Sequence, residues 1–173
     1  SGRNFVDVFE WDDQIGQVID HKLLDLTADG AIGQVYGVEF SPAGNKLFAT
    51  LKTAGSSMIM EYRADTLSLM HSLNPIMTTG GELGAIQVGP EGQVYVVIEG
   101  GKNLGVITVN ADNATASNYN ANGFPLAPRT SSNLGLPNYS QNFVAAQATP
   151  SFLVLSPICL RQPVSMSEVI TSV

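Results

Sequence analysis

Apolar residues along this chain fall in short runs, alternating or continuous, separated by Gly, Pro, Asn and Asp. From Asn4 to Trp11 the sequence N-F-V-D-V-F-E-W interleaves Phe5, Val6, Val8, Phe9 and Trp11 with polar residues, and Asp12-Asp13-Gln14-Ile15-Gly16 supplies a turn, which predicts a strand and its hairpin. Gln17 to Leu26 carries Val18, Ile19, Leu23, Leu24 and Leu26 as an outer strand before the turn signal Asp29-Gly30. Further strands are predicted at 34–41, 45–52, 57–63 and 67–73, and again at 84–89, 93–99 and 104–109. The first pair is joined by Ser41-Pro42-Ala43-Gly44, where Pro presets φ and Gly accepts a positive φ. The unbroken run Val94-Tyr95-Val96-Val97-Ile98 predicts a strand buried on both faces. From Asn110 to Gly123 the sequence is rich in Asn, Ala and Ser without apolar period, which predicts a long loop; 124–136 is turn-dense. Strands at 152–155 and 164–166, with a frayed end at 167–173, complete the pattern.

Two stretches repeat. G-V-E-F-S-P-A-G-N-K-L-F-A-T (Gly37 to Thr50) matches A-I-Q-V-G-P-E-G-Q-V-Y-V-V (Ala85 to Val97), with Phe40, Pro42 and Gly44 aligned to Val88, Pro90 and Gly92 at an offset of 48, and Leu47-Phe48 aligned to Val94-Tyr95 after a one-residue slip. A period in the forties built of strand, Pro-x-Gly turn and strand is the signature of β-propeller blades. The fold class is therefore all-β, with antiparallel four-stranded blades. A closed ring needs at least four blades of about 40 residues, and this chain holds half of one, one complete and one elaborated, so the expectation is an incomplete propeller over 1–150. Its open blade edges favour self-association.

Hydrophobic residues make up 44% and charged residues 13%, with 17 Gly and 9 Pro, a composition of short strands and tight turns. The net charge of -7 argues against nucleic acid as a partner, since phosphate backbones require clustered Lys and Arg. Cys159 is the single cysteine, which leaves no disulfide frame and no cysteine metal cluster. No apolar run is long enough for a transmembrane segment. The start Ser1-Gly2-Arg3, with no Met and no signal peptide, predicts a piece of a longer protein.

Candidate chemistry is sparse. Asp7, Glu10, Asp12 and Asp13 are a carboxylate cluster of the kind glycoside hydrolysis uses, but Asp7 and Glu10 fall on opposite strand faces and Asp12-Asp13 belongs to a turn. Asp112-Asn113 offers oxygen ligands without a calcium-loop pattern. His21 and His71 stand beside no nucleophile motif, and Gly81, Gly84 and Gly89 have the wrong spacing for a phosphate loop. Trp11, Tyr36, Tyr62 and Tyr95 are expected to fill packing between sheets, and Cys159 to be a small buried hydrophobe. Asn113-Ala114-Thr115 and Asn138-Tyr139-Ser140 match the N-glycosylation pattern, which has meaning only in a secreted eukaryotic context. No catalytic, cofactor-binding or metal-binding residue is assigned, and no cofactor is expected.

V-F-E-W-D-D-Q-I-G-Q-V (Val8 to Val18), the Gly37 to Thr50 repeat, M-I-M-E-Y-R-A-D-T (Met58 to Thr66), N-L-G-V-I-T-V-N (Asn103 to Asn110) and L-G-L-P-N-Y-S-Q-N-F (Leu134 to Phe143) together resemble the WD-like propeller region of large secreted Bacteroidetes proteins. Those proteins carry PKD domains and often a gliding-motility-associated sorting domain. Cys159-Leu160-Arg161-Gln162-Pro163-Val164-Ser165-Met166 looks like the opening strand of a PKD domain, with Arg161 where the family has Gly, so 151–173 reads as linker and truncated PKD start. Asp65-Thr66-Leu67 is similar to the O-glycosylation acceptor of that phylum, but a plain hairpin turn between two strands is the stronger reading of these residues. The resemblance implies a non-enzymatic interaction or adhesion module of an extracellular or cell-surface bacterial protein, with a protein or glycan ligand. A propeller-type glycan hydrolase or lyase and a purely structural spacer are the alternatives.

Overall fold

The computed structural model describes residues 4–30, 33–53, 56–73 and 81–137. The chain divides into two units, Ser1–Tyr139 and Ser140–Val173, and the described residues all belong to the first. The expected strands at 152–155 and 164–166, the PKD-like opening and Cys159 lie outside the described residues.

Every regular element is a β-strand and every pairing is antiparallel; no helix occurs among the described residues. Strands β1 (Phe5–Asp12) and β2 (Gln17–Asp25) form a hairpin. Strands β3 (Gln34–Phe40), β4 (Lys46–Thr53), β5 (Ser56–Arg63) and β6 (Leu69–Leu73) form a four-stranded meander, which we call the middle sheet. Strands β7 (Leu83–Val88), β8 (Val94–Ile98), β9 (Asn103–Thr108) and β10 (Asn118–Pro125) form a second meander, the end sheet.

The period-2 pattern of β4 explains why these units stack. Leu47, Ala49 and Leu51 share one core with Leu24 and Leu26 of the hairpin and with Met60 and Tyr62 of β5. Phe48, one residue out of phase, sits with Ile59 in a second core against Ile86, Val88, Val94, Val96 and Ile107 of the end sheet. The middle sheet is thus covered on both faces, and each fully buried large apolar side chain contributes roughly 1.5–3 kcal/mol. Close approach is enforced at Gly37, where a Cβ would lie 3.1 Å from Ile86, and tied by Thr50, whose hydroxyl donates to the Gly84 carbonyl at 2.7 Å.

The repeat appears in the ladder. Phe40 faces Leu47 and Val88 faces Val94, so the hairpins β3–β4 and β7–β8 correspond with the expected one-residue slip. Its origin is the turn: the Ser41 N–H donates to Lys46, five residues on, whereas the Gly89 N–H donates to Gln93, four on.

A second correspondence is equally regular. Val8, Phe9, Glu10, Trp11 and Asp12 of β1 occupy the register of Ile59, Met60, Glu61, Tyr62 and Arg63 of β5 at a constant offset of 51, and their partners on β2 and β6 obey the same offset. Both hairpins carry a bulge at the same point, between Glu10 and Trp11 and between Glu61 and Tyr62. Both close through a five-residue turn in which Gly16 (φ 67) donates to Asp12 and Leu67 (φ 51) donates to Arg63. The hairpin β1–β2 therefore matches β5–β6, the outer half of the middle sheet, strand for strand.

One element corrects the sequence reading. The Asn-rich segment predicted as loop to residue 123 contains β10, which continues through Phe124 and Pro125. An edge strand needs one packing side chain rather than an alternating set, and Tyr119 alone reaches the core. From Leu126 the chain runs back along the end sheet, bonding Lys102, Gly101 and finally Ala85 of β7, whose N–H donates to the Leu134 carbonyl at 2.7 Å.

Candidate functional site

The candidate site lies on the hairpin β1–β2. Alternation in β1 turns Val6 and Val8 toward the middle sheet and Phe9 and Trp11 away from it. Phe9 is 58% and Trp11 61% exposed, whereas Met60 and Tyr62, in the same register positions of β5, are 1% and 0% exposed. On this outer face His21 stacks on Phe9 with centroids 4.8 Å apart and planes at 21°, and its Nε2 lies 2.7 Å from Asp7 Oδ1. Among the described residues the side-chain partner of the ring is Asp7.

On the inner side a groove of about 450 Å³ opens between the hairpin and the turns of the middle sheet, lined by Glu10, Asp20, Lys22, Phe40, Asn45 and Asp65. Lys22 spans it, its ammonium donating to the Asp65 carbonyl at 3.3 Å. Asp65 is itself held by Arg63 at 2.9 Å; that hydrogen bond, aided by the Thr66 N–H, draws its carboxyl down to about 2.

The counterpart of Glu10 in the next layer is buried. Glu61 Oε1 pairs with Lys46 Nζ at 2.9 Å, both side chains being fully inaccessible. Ser117, just before β10, donates from its N–H at 3.0 Å and its hydroxyl at 2.8 Å to the same carboxylate. Lys46 also donates to the Thr115 carbonyl at 2.8 Å. A buried pair of this kind is viable only when its remaining lone pairs and protons are met, as they are here.

The other carboxylates serve local structure. Asp12 accepts the N–H groups of Gln14 and Ile15 in the hairpin turn, and Asp13 is exposed beside it. Asp112 accepts from Ala114 and Thr115, which lowers its pKa, and Asn113 accepts from Asn45 at 2.8 Å. Among the described residues no group of three His, Cys, Asp or Glu could hold a metal ion. Gly84 and Gly89 are contact glycines: a Cβ would strike Leu134 at the first and the Tyr95 ring at the second. Tyr62 fills the core as expected, and burial with the nearby Asp29 raises its pKa; Trp11 and Tyr36 are exposed instead. The sequence reading missed the Asp7–His21 contact, which depends on strand register, and the Glu10–Glu61 equivalence, whose signal was the shared apolar-Glu-aromatic triplet Phe9-Glu10-Trp11 and Met60-Glu61-Tyr62.

A second groove, about 350 Å³ and largely apolar, lies on the outer face of the end sheet among Pro90, Tyr95, Leu104, Phe124, Leu136 and Pro137. Tyr95 and Phe124 meet edge-to-face with centroids 5.6 Å apart. Tyr95 holds the position that Phe48, buried under the end sheet, holds in the middle one.

Among the described residues no helix is long and apolar enough to cross a membrane. Comparison with family models, curated proteins and solved structures finds no match to this chain.

Proposed function

We propose that this chain is a partial WD-like β-propeller, each four-stranded meander a blade, working as a non-enzymatic interaction or adhesion scaffold of a secreted or surface-displayed multidomain bacterial protein. The observation that carries the reading is the pair of apolar end surfaces. Phe9 and Trp11 at one end and Tyr95 and Phe124 at the other stand open or half-open, while Met60, Tyr62 and Phe48, the register counterparts of Phe9, Trp11 and Tyr95, are sealed inside the stack. Exposed apolar surface of that extent marks sites of association. The carboxylates favour binding over turnover, since Asp7 points outward to His21 and Glu10 lines the inner groove.

A glycan-library and peptide screen with the purified chain tests this. Retention without product release is expected. Release of product that is abolished by Asp7→Asn or Glu10→Gln would replace the scaffold with a glycan hydrolase or lyase.

A further inference from the structure

The pairing of β10 is interrupted where the strand passes Gly105. Asn120 pairs with Val106 and Phe124 with Leu104, so Ala121, Asn122 and Gly123 together stand against one residue of β9. A bulge of this kind leaves its surplus residues without ladder partners and releases them from the dihedral angles that regular pairing imposes. Within it lies the one Asn-Gly step of the whole sequence, Asn122-Gly123. Packing requires the glycine, since a Cβ there would fall 2.5 Å from Val106. The same missing Cβ leaves the Gly123 backbone nitrogen unhindered. Asn122 is exposed among the described residues; its N–H donates to Asn120 Oδ1 at 3.0 Å, and its own Oδ1 accepts from Asn103 Nδ2 at 3.2 Å. That donor polarises the Asn122 side-chain carbonyl and stands beside the oxygen on which negative charge develops when Cγ is attacked.

We infer that Asn122-Gly123 is a self-modifying site, at which the chain converts its own amide to an aspartyl or isoaspartyl residue through a cyclic imide. The Gly123 nitrogen attacks Asn122 Cγ and closes a five-membered ring. The Cγ–Nδ2 bond breaks, and the displaced nitrogen leaves as ammonia with the proton that Gly123 gives up. Water, the only co-reactant, then adds to one of the two ring carbonyls. Opening at Cγ yields aspartate on the original backbone. Opening at the main-chain carbonyl yields isoaspartate, whose backbone runs through the former side chain and is one methylene longer. Both products place a carboxylate beside Asn103 on a chain that already carries a net charge of -7. The longer product falls in a bulge that already holds surplus backbone. The terminal strand of the end sheet thus changes charge and length with age and without an enzyme, whether or not the chain is a scaffold. Asn120 is the internal control: it is exposed in the same strand but is followed by Ala121, whose Cβ obstructs the equivalent attack.

The test incubates the full chain at mildly alkaline pH in heavy-oxygen water and follows the tryptic peptide 103–129 by mass spectrometry. Loss of the amide with uptake of heavy oxygen is expected at residue 122 well ahead of residue 120. Isoaspartate should exceed aspartate, and the folded chain should convert at a rate comparable to that of the guanidinium-unfolded chain. Asn122→Gln keeps an amide and leaves Gly123 in place, but it cannot close the five-membered ring, and conversion stops. Asn103→Ala slows conversion by about fivefold in the folded chain, the worth of one exposed hydrogen bond, and leaves the unfolded chain unchanged. Equal rates at 120 and 122, aspartate formed without isoaspartate, or a folded chain inert at residue 122 while the unfolded chain reacts each overturns the site. Faster conversion in Asn103→Ala overturns the activating role of that donor and makes it a restraint.

Discussion

Glu10 and Glu61 occupy the same place in the same kind of hairpin, one residue beyond a matched apolar position and one before a bulge, yet one lines an open groove and the other is sealed in an ion pair. Phe9 and Met60, and Trp11 and Tyr62, differ in the same way. Register and local backbone are held nearly constant across the comparison, so the neighbouring strand and layer decide burial. What β5 gains from β4 and the hairpin stacked on it, β1 lacks.

The largest effect expected from this contrast is at the ion pair. Lys46→Met strands a buried carboxylate and costs about 3–5 kcal/mol, whereas Glu10→Gln changes stability by no more than about 0.5 kcal/mol. The double change Lys46→Met with Glu61→Leu recovers part of the loss, limited by the Ser117 donors left without an acceptor. Urea unfolding followed by far-UV circular dichroism measures these values; Trp11 is too exposed to report them. Equal costs at positions 46 and 10 would end the comparison.

Next come the apolar counterparts. Met60→Ala removes a side chain that is 1% exposed and costs about 2–5 kcal/mol, while Phe9→Ala costs about 0.5 kcal/mol or less despite the larger side chain. Thermal melts of the two variants decide it, and a Phe9→Ala loss matching that of Met60→Ala means the outer face is covered.

The strands themselves were readable because their boundaries are written in turn chemistry: Ser41-Pro42-Ala43-Gly44 and Gly89-Pro90-Glu91-Gly92 each end in a glycine at positive φ, 69° and 74°. β10 was not readable, because N-Y-N-A-N-G buries little beyond Tyr119 and carries no period. The equivalence of the two hairpins was hidden for a related reason. Between Phe9 and Ile15 and their counterparts Met60 to Thr66 only the glutamate is identical, and what is shared is register, a bulge and a turn bond rather than residues. The Asp7–His21 contact followed the same logic, since diagonal neighbours on one face are fixed only once pairing is known.

A smaller effect is expected at the turns. Gly16 and Leu67 both adopt positive φ, but Leu67 is compensated by packing on the hairpin-side core. Gly16→Ala gains no such contact and costs about 1 kcal/mol in the same unfolding assay. A neutral outcome means the two turns are not held alike.

The smallest is the pH response of the β5–β6 turn, whose Arg63–Asp65 pair is replaced by Asp12 and Gln14 in β1–β2. With its carboxyl lowered from 3.8 to about 2, Asp65 contributes in full above pH 4 and loses that contribution as pH falls toward 2. Carboxyl-carbon NMR titration should place its midpoint near 2 and return it toward 3.8 in Arg63→Gln.

Layers cut from one repeated pattern carry a hazard of their own, because a face that fits one neighbour nearly fits another, and a folding chain that stacks them out of order finds few contacts to punish the mistake. The Lys46–Glu61 pair breaks that degeneracy. At the corresponding places in the end sheet stand Gln93 and Val106, and among the described residues the segment at Thr115 and Ser117 supplies the partners the two charges need. Laid against any other surface, the middle sheet must bury two ions without them. The pair so becomes an address label, spelling out which sheet follows which, and the long Asn-rich connection before β10 is the reader of that label.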